Sequence, residues 1–257
     1  MKYIDIHTHM NLAQFDEDYD AAIKRAFAAG VGMFNVGTDK DTSARAVALL
    51  DEYPENLYAT VGLHPLHASE ESFDRSMYKA LAECERVVAI GECGLDYSRG
   101  PSDGEVAKQI EAFEAQIALA NELELPLMLH IRSGPRGNAY KDAQDILKKH
   151  AKVLGNSHFF AGSLNDAKAF WDMGYSTSFT GVLTFTHDYD EVVQAAPKGL
   201  IHAETDAPYV APHPHRGKRN EAAYVIEVVK RQAELRGVPE DEWAAQLVSN
   251  AQKLFRI

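Results

Sequence analysis

Short apolar, β-branched runs alternate with helically spaced apolar segments eight times along this chain of 257 residues. That alternation is the pattern of parallel strands joined by crossover helices. The strand-like runs are residues 2–6, 31–36, 57–61, 87–90, 126–129, 152–159, 175–179 and 200–203. Between them apolar residues recur at helical spacing, as in Tyr19, Ile23, Ala26 and Phe27, or Ile110, Phe113, Ile117, Leu119 and Ala120. Gly30, Pro54, Pro126, Gly155 and Gly174 mark breaks, and Asp41, Asn138 and Asp188 are expected helix caps. After the eighth run come a basic loop, residues 216–220, and two amphipathic helices, 221–236 and 240–254, divided by Gly237 and Pro239. Nothing along the chain reads as a linker between domains. The expectation is one α/β domain over residues 1–257, a (β/α)8 TIM barrel with extra C-terminal helices. A doubly wound open sheet is the runner-up, but it usually carries a Gly-rich phosphate turn after its first strand, where this chain reads Ile6-His7-Thr8-His9.

Barrel enzymes place their chemistry at the carboxyl ends of the strands, and the reactive residues of this chain gather there. His7 and His9 end the first run, Glu92 follows the fourth inside Gly91-Glu92-Cys93-Gly94-Leu95-Asp96-Tyr97, and His130 follows the fifth. His158 stands at the sixth, and Asp206 follows the eighth within Glu204-Thr205-Asp206-Ala207-Pro208. Each alone has an ordinary alternative as a core histidine or a capping carboxylate. Together they supply enough nitrogen and oxygen donors for two divalent ions (Mg, Mn, Zn, Ni or Co) if one carboxylate, Glu92, bridges. Such a pair serves hydrolysis of a phosphoester, with Asp206 placed to act as general base. Cys93 is read as a packed thiol rather than a ligand.

The 26 Lys and Arg against 38 Asp and Glu leave a formal charge of −12, which excludes tight, non-specific coating of nucleic acid. The few cations near strand ends, Arg132, Arg136, Arg216, Lys218 and Arg219, are therefore the expected phosphate contacts. Tyr97, Phe160 and Tyr209 are read chiefly as packing, with base stacking as the alternative, and Trp171 and Trp243 as packing. Two cysteines, Cys84 and Cys93, and a first segment without an apolar signal region lead to the expectation of a cytoplasmic protein without a membrane anchor. A monomer is expected.

The residues Asp5–His9, Gly62-Leu63-His64-Pro65, Gly91–Tyr97, His130 with Arg132, His158, Glu204–Pro208 and Arg216–Glu221 stand in the order of one family. Over essentially its whole length the chain resembles the TatD-type metal-dependent deoxyribonucleases of the amidohydrolase superfamily. The resemblance implies hydrolysis of DNA phosphodiesters, often from the 3′ end of single strands. It further implies that His7, His9 and Asp206 hold one ion, that His130 and His158 hold the other, and that Glu92 joins them. His64 then takes a substrate-phosphate or supporting role. Leu66-His67 departs from the usual third-strand motif, which leaves His67 without an assigned part, and Asn220-Glu221-Ala222 departs from the commoner Asn-Glu-Pro. The competing expectations are an esterase or lactonase of the same superfamily, a D-aminoacyl-tRNA deacylase, and a non-catalytic DNA-repair or secretion-associated binding protein. The last of these predicts a missing ligand position, and none of the six is substituted.

Overall fold

The structure, a computed structural model, describes all residues 1–257. Eight parallel strands run in the order of the sequence: β1 (Tyr3–Thr8), β2 (Val31–Val36), β3 (Leu57–Val61), β4 (Val87–Asp96), β5 (Leu127–Arg132), β6 (Gly155–Ser157), β7 (Ser176–Phe179) and β8 (Ile201–Ala203). The connecting helices are α1 (Tyr19–Ala28), α2 (Lys40–Glu52), α3 (Arg75–Ala82), α4 (Asp103–Leu123), α5 (Ala139–His150), α6 (Leu164–Asp172) and α7 (Asp190–Ala195). Two more, α8 (Val225–Arg236) and α9 (Glu240–Phe255), follow the last strand. A bridge between Thr8 and Ala207 brings the first strand to the last, with His9 N–H donating to Ala207 O at 2.8 Å and Asp206 N–H to His7 O at 2.9 Å. This is the (β/α)8 barrel read from the sequence, with α9 as the helix beyond the eight-fold pattern. No helix is long and apolar enough to cross a membrane.

Several boundaries move, and each move has a local cause. β4 continues six residues past Ile90 because Cys93 to Asp96 pair in register with Leu129 to Arg132 of β5. β6 shrinks to three residues, since only Gly155 to Ser157 find partners on β5. The cap of α2 is Asp39, not Asp41: its carboxylate accepts from Thr42 N–H while the Thr42 hydroxyl serves the Asp39 N–H. Asn138 caps α5 as expected. Asp188 caps nothing, because α7 begins two residues later behind Tyr189 with no side-chain cap. Of the last segment, residues 222–224 form a 3-10 turn before α8.

The helices bury their apolar faces on the outer side of the strands, Ile23 and Ala26 of α1 and Phe113 and Ile117 of α4 packing with Met33, Leu57 and Leu127. A second cluster fills the barrel's lower interior: Ile4, Ile6, Phe34, Val88, Ala89 and Met128, closed from below by Ala251 and Phe255 of α9. Phe255 meets the Phe34 ring edge-on at 4.8 Å, and burial of such a ring stabilises by roughly 2–3 kcal/mol. Asn250 fixes this plug by donating to the carbonyls of Lys198 and Ile201.

The same interior buries His202, whose Nδ1 has no hydrogen-bond partner and whose ring lies 6.0 Å from Phe255. Burial disfavours the imidazolium and pushes its pKa from 6.5 down to about 3. This contribution to stability is fully present above the unfolded value of 6.5, and is lost as the pH falls toward the folded value, because only the unfolded chain gains the proton. By pH 5 the loss from this residue reaches about 2 kcal/mol. In urea denaturation at pH 7 and pH 5, a His202→Leu protein should lose correspondingly less stability than the parent. Equal losses would refute the assignment.

Candidate metal centre

Strand sides decide which residues can meet. In β1, Ile4 and Ile6 face the barrel interior and Tyr3 packs outside. Strict alternation would turn His7 outward with Tyr3. The register against β2 shifts between Asp5 and Thr8, and beyond that irregularity His7 enters the mouth. Asp5 stays behind as a brace, its carboxylate accepting from His7 N–H, Thr205 N–H and the Thr205 hydroxyl. A similar shift between Ile90 and Cys93 accompanies the entry of Glu92.

Six side chains converge there: His7, His9, Glu92, His130, His158 and Asp206. All are at least four-fifths buried. Glu92 lies at the centre. Its Oε1 is 2.7 Å from His158 Nε2 and 2.8 Å from His130 Nδ1, while Oε2 is 3.4 Å from His7 Nε2 and 3.7 Å from His9 Nε2. Asp206 Oδ1 stands 3.3 Å from His9 Nε2 and 3.9 Å from His7 Nε2. Two pairs of imidazole nitrogens face each other at 3.2 Å, His7 Nε2 with His9 Nε2 and His130 Nδ1 with His158 Nε2. Donor atoms sharing one ion at bonds of about 2.1 Å stand roughly 3.0–3.4 Å apart, so this set fits divalent cations.

Tautomers sharpen the fit. His9 Nδ1 lies 2.9 Å from the Val36 carbonyl, which can only accept, so the proton sits on Nδ1 and the Nε2 lone pair faces the site. His64 is the reverse: its Nδ1 accepts from Leu66 N–H at 3.1 Å, so the neutral ring carries its proton on Nε2, 3.5 Å from Glu92 Oε1. His64 is thus a donor into the site and has no lone pair to offer there. Burial pushes its pKa well below 6.5, with the neighbouring His130 adding to the effect, which keeps that ring neutral. Burial alone would raise Glu92, but the imidazoles around it, His158 first, outweigh it and hold the carboxyl well below its usual range. His158 moves the opposite way: burial opposes its charge, and Glu92 raises it well above 6.5.

Five of the six, His9, Glu92, His130, His158 and Asp206, line a cavity of about 860 Å³ that opens at the strand ends, with His7 buried behind them. Its walls include Asn11, Gln14, His64, His67, Arg132, Phe159, Tyr189 and Tyr209. Phe159 holds a left-handed φ of 41°, a strained conformation for a bulky residue, with its N–H bound to the Glu204 carboxylate. The ring thereby joins the cavity wall while Phe160 packs inward against Tyr140. His67 Nδ1 lies 3.1 Å from the Thr38 carbonyl.

Of the expected phosphate contacts, Arg132 alone is an exposed cavity cation without an ion pair. The structure does not bring Arg216 to the cavity: its guanidinium stacks on Phe185 at 3.9 Å and donates to the Ala211 carbonyl. Arg219 is neutralised by Asp18 and Glu221, and Arg136 by Asp103. Lys218 is exposed and outside the lining. Tyr97 is buried with its hydroxyl on Asp142, which fits packing, whereas Tyr209 is 47% exposed on the cavity wall. Cys93 is buried, its sulfur near the Ile90 and Met128 carbonyls, and burial pushes its thiol pKa up.

Sequence reasoning passed over Asp96 and Glu204. Asp96 Oδ2 is 2.9 Å from His130 Nε2, and Glu204 Oε1 is 3.5 Å from His158 Nδ1. The signal was available: Asp96 follows Glu92 by four residues in one strand, and Glu204 precedes Asp206 by two, spacings that keep side chains on one face.

The family described as TatD related DNase matches residues 4–256. An uncharacterized metal-dependent hydrolase, YabD, of Bacillus subtilis (strain 168) is 40% identical over 261 residues, covering 98% of each chain. A 3′-5′ ssDNA/RNA exonuclease TatD of Erwinia tasmaniensis is 37% identical over 264 residues, covering 98% of this chain and 99% of that one. The crystal structure of YJJV, a TatD homologue from Escherichia coli K12, superposes with a TM-score of 0.88 at 31% identity, over 100% of this chain and 98% of the other.

Proposed function

Because the chain belongs to the TatD related DNase family of metal-dependent hydrolases, we propose that it hydrolyses phosphodiester bonds from the 3′ end of single-stranded nucleic acid, DNA in the first place. The observation that carries the reading is the division of donors about Glu92. One oxygen faces His130 and His158, and the other faces His7 and His9 beside Asp206. His7, His9 and Asp206 would hold one divalent ion and His130 and His158 the other, with Glu92 shared between them. A bound pair of that kind supplies Lewis acidity, acidifying water and screening the charge of a phosphate.

The remaining work falls to the chain. Asp206 takes the proton of the attacking water on its carboxylate. His64 Nε2–H donates to a phosphate oxygen, a role its tautomer supports. Arg132 meets a neighbouring phosphate at the rim, where no protein carboxylate competes for it. A cavity of about 860 Å³ is of small-ligand size, which favours one or two nucleotides of a strand end over a continuous duplex. The net charge of −12 likewise favours a substrate held by a few local contacts.

The test is degradation of 3′-labelled and 5′-labelled single-stranded oligonucleotides with Mg²⁺ or Mn²⁺, with and without chelator, beside an Asp206→Ala protein. Chelator-sensitive shortening from the 3′ end, absent from the variant, is the expected result. No cleavage by a protein shown to hold metal would move the substrate to esters, lactones or aminoacyl-tRNA. In the same assay Arg132→Ala should raise KM about tenfold with little change in kcat, the mark of lost binding that is equal in ground and transition states. A fall confined to kcat would remove Arg132 from substrate binding.

A further inference from the structure

His130 reaches the site by its Nδ1, 2.8 Å from Glu92 and 3.2 Å from His158 Nε2, and its other nitrogen is held from behind. Nε2 lies 2.9 Å from Asp96 Oδ2. Asp96 ends β4 and is itself fixed on every side. Its Oδ1 accepts from Ser98 N–H at 2.8 Å and from the Ser98 hydroxyl at 2.6 Å. Its backbone is clamped by the buried Gln109 of α4, which accepts from Asp96 N–H at 2.9 Å and donates to Asp96 O at 3.1 Å. A carboxylate can only accept, so Asp96 holds a proton on Nε2, and a cation seated between Nδ1 and Glu92 would then meet the Nδ1 lone pair.

We infer that Asp96 is a positioning residue that sets the tautomer of His130, and so makes Nδ1 available to a divalent cation. Metal-bound histidines commonly hand their second N–H to a carboxylate, which fixes ring orientation and raises ligand basicity. The inference rests on the reading of His130 as a ligand.

The hydrogen bonds around Asp96 make an unusual prediction about its near-isosteric replacement. In Asp96→Asn the amide oxygen must stay where Oδ1 is, because a backbone N–H of Ser98 points at it and cannot accept. The amide NH₂ then occupies the place of Oδ2 and donates to His130 Nε2. That forces the proton onto Nδ1, where it blocks the lone pair. Wrong-tautomer behaviour of this kind is what an Asp-to-Asn change produces behind a catalytic histidine. In Asp96→Ala no group donates to Nε2, and His130 keeps access to the competent form.

The experiment is a calorimetric titration of Zn²⁺ into the metal-stripped full chain, comparing parent, Asp96→Asn, Asp96→Ala and His130→Ala, with melting curves of the stripped proteins as the folding control. Asp96→Asn should weaken binding about 10–100-fold, approaching His130→Ala and exceeding the loss in Asp96→Ala. Simple loss of packing predicts the reverse order, with the isosteric variant milder, and that result overturns the proposal. If Asp96→Ala does not fold, Asp96→Asn against His130→Ala still decides: parent-like affinity in Asp96→Asn with weakened His130→Ala overturns the role of Asp96. Parent-like affinity in His130→Ala instead overturns the ligand assignment beneath it.

Discussion

A Glu92→Ala protein should lose most of its bound metal and about 10³-fold or more of its hydrolytic rate. Both oxygens of Glu92 are engaged, Oε1 with His158 and His130 and Oε2 toward His7 and His9, so the truncation takes a donor from each half of the site at once. It also removes the negative charge about which the histidines gather. His130 Nδ1 and His158 Nε2 would be left 3.2 Å apart with no carboxylate between them and the other pair. Elemental analysis of the purified variant beside its turnover number checks the expectation. Full metal occupancy together with parental turnover would falsify the bridging assignment. Loss at only one of two ions would place Glu92 on that half alone.

The second large effect is on folding. Gly94→Ala should cost about 3 kcal/mol or more, a large share of the roughly 5–15 kcal/mol that holds a domain folded. Gly94 lies between Glu92 and Asp96 on β4 at a φ of +143°, a conformation that L side chains rarely adopt. A Cβ there would sit 2.1 Å from the His130 carbonyl oxygen and 3.0 Å from its carbon. Those are backbone atoms of the paired strand, so relief requires β5 to move and His130 to move with it. Gly104 of α4 is the matched control, since an added Cβ meets nothing within 4 Å. In a helix that change is worth up to about 1 kcal/mol in favour of alanine. Urea denaturation of the two variants should therefore give opposite signs. A Gly94→Ala protein as stable as Gly104→Ala would show that the β4–β5 approach is looser than these distances imply.

Much of this molecule is legible in one dimension. Eight short apolar runs with amphipathic segments between them repeat the strand-and-helix unit of a parallel barrel, and the repetition carries the reading where a single run would not. Strand ends were legible only roughly. The stretch Cys93 to Asp96 lies beyond the expected run 87–90, because Gly91, Glu92 and Gly94 interrupt the apolar pattern. It becomes strand because β5 offers partners in register. Arg216 read as a phosphate contact from its basic loop, yet Phe185 captures its guanidinium, and no local pattern announces an aromatic partner 31 residues away.

The sequence by itself determined the kinds of chemistry present and their order: five histidines and two carboxylates at the ends of six of the eight strands, and the family they belong to. That much follows from residue type and from spacing along the chain. The tertiary structure decided which side chains face inward after the register shifts in β1 and β4. It also decided which nitrogen of His9, His64 and His130 carries a proton, and which cation is left unpaired at the rim. These depend on a carbonyl, an N–H or a carboxylate brought alongside by folding. Val36 is 27 residues from His9 and Asp96 is 34 from His130, separations over which no local periodicity carries information.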